Sequence, residues 1–82
     1  MGQETVTYYA IVDAFSSRRR PAGVLRRITD GDGNRRDEAF GRNLAWGHAT
    51  GRYPAATGEL HEITEDEATR IVSRMLHAAA AR

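Results

Sequence analysis

Cysteine is absent from this chain, and so is lysine. Without cysteine there is no disulfide to staple a small core and no thiolate to hold a metal, a pattern that fits a reducing compartment. No stretch approaches the roughly 18 consecutive apolar residues of a membrane helix. The opening Met-Gly-Gln-Glu-Thr lacks the basic region and apolar run of a secretory signal, and Val6 stands where a myristoylation signal has Ser or Thr. The expectation is a soluble, cytoplasmic chain with no membrane partner. The missing lysine means that all 12 cations are arginine, which codon usage in a GC-rich genome explains more simply than any ligand does. No glycine-rich phosphate loop follows the first strand-like segment, which removes nucleotide hydrolysis from consideration.

At 82 residues the chain is one domain, 1–82, near the size at which a single core has little stability to spare. Its net charge of +1 conceals an uneven distribution. Residues 16–42 carry eight arginines against Asp30, Asp32, Asp37 and Glu38, a balance of +4, whereas residues 59–67 carry five acids and no arginine, a balance of −5. Such a chain can complement itself, so the asymmetry alone demands no outside partner.

The most legible element is a helix over 63–80. Thr64 stands at an N-cap position and Glu67 three residues later completes a capping box. Glu65, Asp66 and Glu67 occupy the first turn, where the helix dipole favours acids, and Arg74, His77 and Arg82 lie toward the other end. Ala68, Ile71, Val72, Met75, Leu76 and Ala79 form one apolar stripe on the helical period. Burying Ile71, Val72, Met75 and Leu76 at roughly 1.5–3 kcal/mol each outweighs the cap's contribution of about 1 kcal/mol. Packing against residues 1–60 therefore holds this helix.

Thr5 to Asp13 alternates with a period of two in strand-favouring residues. Val6, Tyr8, Ala10 and Val12 share one face, and Thr5, Thr7, Tyr9 and Ile11 the other. Because the second face is also apolar, the strand is expected inside a sheet or covered on both sides. A connection follows, with Phe15 folding back on the core and Arg18-Arg19-Arg20-Pro21 ending it. Gly23 to Thr29 and Arg35 to Phe40 flank the turn-forming run Asp30-Gly31-Asp32-Gly33-Asn34, which predicts a hairpin. Pairing Asp30 with Asn34 sets Arg27 opposite Asp37, Arg26 opposite Glu38, Leu25 opposite Ala39 and Val24 opposite Phe40. Opposite charges meet, apolar residues meet, and each pair contributes about 0.2–1 kcal/mol. Residues 41–58 are poorly legible. Phe40, Leu44 and Trp46 share a face if extended, while Gly51, Pro54 and Gly58 mark an irregular segment around Tyr53. Leu60 to Ile63 can add a last strand. The expected fold is α+β, an antiparallel sheet of three or four strands with the C-terminal helix across one face.

Tyr8-Tyr9, Pro21 leading to Arg26-Arg27, Asp37-Glu38-Ala39-Phe40, Trp46, and Glu62-Ile63-Thr64 running into Ala68 resemble the layout of small uncharacterised proteins of actinobacterial type. That grouping has no established activity, so the resemblance implies no function.

Candidate chemistry is sparse. Asp30, Asp32 and Asn34 have calcium-loop spacing, but Arg35 replaces the required glycine and Gly41 the bidentate glutamate, so a plain turn is the better reading. His48, His61 and His77 have no paired metal spacing, and Ser16, Ser17 and Ser73 sit in no nucleophile motif. The sequence therefore predicts no catalytic residue, no metal and no cofactor. What remains is surface. Tyr9, Ile11, Trp46 and Tyr53 are the candidates for a face that docks another protein or a second copy, giving a homodimer. Arg18, Arg19, Arg20, Arg35, Arg36 and Arg42 are the candidates for a basic surface that binds nucleic acid beside aromatic stacking positions. The leading expectation is a non-catalytic interaction module working through a sheet face or edge. Arginine-dependent nucleic-acid binding is the alternative.

Overall fold

The structure, a computed structural model, describes residues 3–14, 16–41, 43–48 and 59–81. Five strands, β1 (Thr5–Val12), β2 (Gly23–Thr29), β3 (Arg35–Phe40), β4 (Trp46–His48) and β5 (Glu59–Ile63), precede one helix, α1 (Glu65–Ala80). The strands form one antiparallel sheet in the order β4-β3-β2-β1-β5. The α+β class is as expected, but the sheet has five strands rather than three or four. The additional strand is β4, whose three residues are too few for an alternation to be read from sequence. No helix among the described residues is long and apolar enough to cross a membrane.

The hairpin of β2 and β3 has the register that its charges predict, from Arg27 opposite Asp37 to Val24 opposite Phe40. Its turn is closed from within. Asp30 Oδ1 accepts from the Asp32 amide at 2.9 Å and the Asn34 amide at 3.0 Å, and Gly33 takes the left-handed conformation at φ 87°. β1 is an inner strand, paired with β2 on one side and β5 on the other, which accounts for the apolar residues on both its faces.

Each face of the sheet has its own core. On the helix side Ala10, Val24, Ala68 and Ile71 are buried together, flanked by Tyr8, Trp46, Ile63, Val72 and Met75. On the other side Ile11 and Leu25 are buried among Tyr9, Ala22, Ala39 and Leu60. Gly23 is required where it stands, because a Cβ there would collide with the carbonyl oxygen of Phe40. Leu44 sits in a turn at φ 58°, so Phe40 and Trp46 share a face by pairing across β3 and β4, not along one extended strand.

The helix has the cap its sequence specifies: Thr64 Oγ1 accepts from the Glu67 amide at 3.1 Å and Glu67 Oε1 accepts from the Thr64 amide at 3.2 Å. It lies over β1 and β2, and within it only Ala68 and Ile71 are buried. The expectation that Leu76 is buried is corrected, since its side chain is 45% exposed. Eight residues beyond Ala68, it stands roughly 80° around the helix at 100° per residue, on the edge of the apolar stripe, and burial fades toward the last turns.

A candidate anion-binding cleft

The loop between β1 and β2 is held by its own polar side chains. Ser16 Oγ accepts from the Asp13 amide at 2.8 Å and donates to Asp13 Oδ1 at 2.9 Å. The Ser17 and Arg20 backbones exchange hydrogen bonds at 3.2 and 3.1 Å, which leaves Arg18 and Arg19 at the tip. The Ala22 amide then donates to the Ile11 carbonyl at 2.8 Å and returns the chain to the sheet. This loop meets the helix, where Arg74 Nη1 donates to the Arg19 carbonyl at 2.9 Å.

Between loop and helix lies a cleft of about 540 Å³ lined by Arg18, Arg19, Arg20, Glu67, Arg70, Ile71 and Arg74. Ile71 belongs to the buried core beneath, and the five arginines are exposed. Five guanidinium groups against one carboxylate leave a formal +4, and that carboxylate is already engaged in the capping box at Thr64. Clustered cations beside low-dielectric walls raise the local potential for anions. Guanidinium forks suit phosphate oxygens in particular, because two parallel N–H donors match their geometry.

The six arginines of the expected basic surface do not form one patch. Arg18, Arg19 and Arg20 line the cleft. Arg35 and Arg36 begin β3 at the far end of the seven-residue β2, about 20 Å away at roughly 3.3 Å per residue, and Arg36 lies 4.0 Å from Glu4. Arg42 lies outside the described residues. Arg70 and Arg74, which complete the cleft, were not among the expected residues. Their signal is present in the sequence, because Glu67, Arg70 and Arg74 follow one flank of the apolar stripe at helical spacing.

Arg26 and Arg27 point to opposite faces and are both paired. Arg26 Nε donates to Glu38 Oε1 at 2.6 Å while its guanidinium stacks 3.9 Å from the centre of the Trp46 ring. Arg27 binds Asp37 through two hydrogen bonds and lies 5.3 Å from the centre of the Tyr9 ring. The Asp37 hydrogen bond holds the Arg27 guanidinium still further above its ordinary range. Among the expected docking residues, Tyr9 and Ile11 share a face, but Trp46 lies on the opposite one against the helix-side core, 5.6 Å from Phe40 between ring centres. Ile11 is 5% exposed. Tyr53 and Phe15 lie outside the described residues.

Compared with family models, curated proteins and solved structures, the chain finds no match.

Proposed function

We propose that the protein is a non-catalytic module that binds nucleic acid through the arginine cleft. The observation that carries this reading is the convergence of Arg18, Arg19 and Arg20 from one loop with Arg70 and Arg74 from the helix on a single cleft whose lone carboxylate is engaged elsewhere. Like charges gathered this closely repel one another, and an anionic ligand relieves the repulsion. Docking through the face of Tyr9 and Ile11, to another protein or a second copy, has less in its favour because Ile11 and Leu25 are already buried within one chain.

Fluorescence anisotropy with a labelled single-stranded oligonucleotide, repeated across a salt series, tests the proposal. Arg74 is tied to the loop, so about four guanidiniums are counted as free to meet phosphates. At about −0.7 per phosphate contact, the slope of log affinity against log salt is then about −3. R70Q, which removes one of the four free guanidiniums and leaves the Arg74–Arg19 hydrogen bond in place, should weaken binding at low salt and bring the salt slope closer to zero by about 0.7, and R70Q/R74Q, which also removes that bond, should weaken it further. No binding by the wild type at low salt, or equal binding by R70Q/R74Q, overturns the proposal.

A further inference from the structure

The peptide group between Arg19 and Arg20 is held at both its ends. Its carbonyl, on Arg19, accepts from Arg74 Nη1 on the helix at 2.9 Å. Its amide, on Arg20, donates back into the loop, to the Ser17 carbonyl at 3.1 Å and to Ser17 Oγ at 3.2 Å. A trans peptide is planar, with C=O and N–H pointing opposite ways and both flanking Cα atoms in the plane. One bond to the helix and one to the loop base therefore fix the plane from which the side chains of Arg19 and Arg20 leave. The base is tied down in turn, since Ser16 Oγ bonds both the amide and the carboxylate of Asp13, the residue that follows β1.

This bond gives Arg74 a different part from that of Arg70, which lines the same cleft four residues earlier on the same flank of the helix. Arg18, Arg19 and Arg20 repel Arg70 across the cleft, and that repulsion favours a loop swung away from the helix. Arg74 opposes it. A charged donor makes a shorter and stronger hydrogen bond than a neutral one, and here it joins segments 55 residues apart. The bond also occupies a carbonyl oxygen that, left free, would repel an anion.

Resting on the nucleic-acid reading above, we infer that Arg74 is the positioning residue of the cleft. It holds the Arg19–Arg20 peptide so that the loop guanidiniums stand opposite Arg70, and the phosphate contacts fall to Arg18, Arg19, Arg20 and Arg70. A loop ordered before the ligand arrives costs less to order on binding. Two arginines one turn apart on the helix therefore differ in what their loss does. Without Arg70 a phosphate contact goes and the salt dependence falls. Without Arg74 the loop loosens, and binding weakens at an unchanged salt dependence.

The experiment has two arms, both on the full chain. The first is anisotropy of a 12-nucleotide oligo-dT across a salt series with wild type, R70Q and R74Q, and the second is 15N relaxation of the same three proteins without ligand. The expected result is that R70Q brings the slope of log affinity against log salt closer to zero by about 0.7, whereas R74Q weakens binding about fivefold and leaves the slope within about 0.2 of wild type. In R74Q the order parameters of the Arg19 and Arg20 amides should fall from about 0.85 toward about 0.6, and in R70Q they should stay at the wild-type values. A slope change of about 0.7 in R74Q, undiminished affinity in that variant, or loop order parameters that do not move overturns the positioning role while leaving the cleft intact. A wild type that binds no oligonucleotide, or R70Q with wild-type affinity and slope, instead overturns the cleft reading itself, so the two failures are distinguishable.

Discussion

Arg27 and Asp37 face each other across β2 and β3, joined by Nε to Oδ1 at 3.0 Å and Nη2 to Oδ2 at 3.2 Å, with side chains 22% and 13% exposed. Two-point geometry with limited exposure separates this pair from an ordinary surface contact. A double-mutant cycle of R27A and D37A should show coupling of about 1 kcal/mol. The cycle for Arg36 and Glu4, 4.0 Å apart and more than half exposed, should return about 0.2 kcal/mol or less. Equal couplings would mean that the hairpin does not depend on this pair for its register.

The helix makes a sharper contrast. Ile71 is 9% exposed and Leu76 45%, so in chemical denaturation I71A should cost about 2–4 kcal/mol and L76A less than about 1 kcal/mol. A larger loss at Leu76 would place the other edge of the stripe against the sheet.

These contrasts also mark where the sequence was readable. The hairpin register was legible because Arg26, Arg27, Asp37 and Glu38 allow only one pairing that matches charges, and a slip by one residue reverses every side chain. The cap was legible because Thr64 and Glu67 act over three residues. The side of Trp46 was not, because it follows from how β1 registers on β2 across the loop from Asp13 to Ala22, and no local pattern fixes that register. The cleft was half legible: the triple arginine stood out, but its meeting with Arg70 and Arg74 is a contact between segments some fifty residues apart. On the helix alone those two arginines read as an ordinary solvated flank.

Two glycines should resist substitution for different reasons. G33A places a Cβ in open space but at φ 87°, costing about 1–2 kcal/mol through backbone strain. G23A meets the Phe40 carbonyl and should cost about 1–3 kcal/mol through forced movement of β3. Amide hydrogen exchange separates the two, since G23A should speed exchange at Phe40 and Gly41 while G33A confines the change to the turn.

Asp30 carries a pH signature. The hydrogen bond from the Asn34 amide, followed by that from Asp32, holds its carboxyl below the ordinary aspartate value of 3.8. A depressed folded value means that the carboxylate stabilises the hairpin fully above the unfolded value and loses that effect as pH falls through the folded one. Proton titration by NMR should give a midpoint below 3.8, and D30N should flatten the acid slope of stability below about pH 4. A midpoint at or above the ordinary value would remove the turn's hydrogen bonds from the account.

The central claim is that arginines from a loop and a helix form one anion-binding site. Its most direct test is a titration of the 15N-labelled protein with a short oligonucleotide, following every amide and arginine side-chain resonance. The account predicts shifts concentrated at Arg18, Arg19, Arg20, Arg70 and Arg74, fading with added salt, while Arg35 and Arg36 at the far end of the sheet stay still. Shifts centred on Tyr9 and Ile11, on the hairpin arginines, or on no contiguous surface would contradict it.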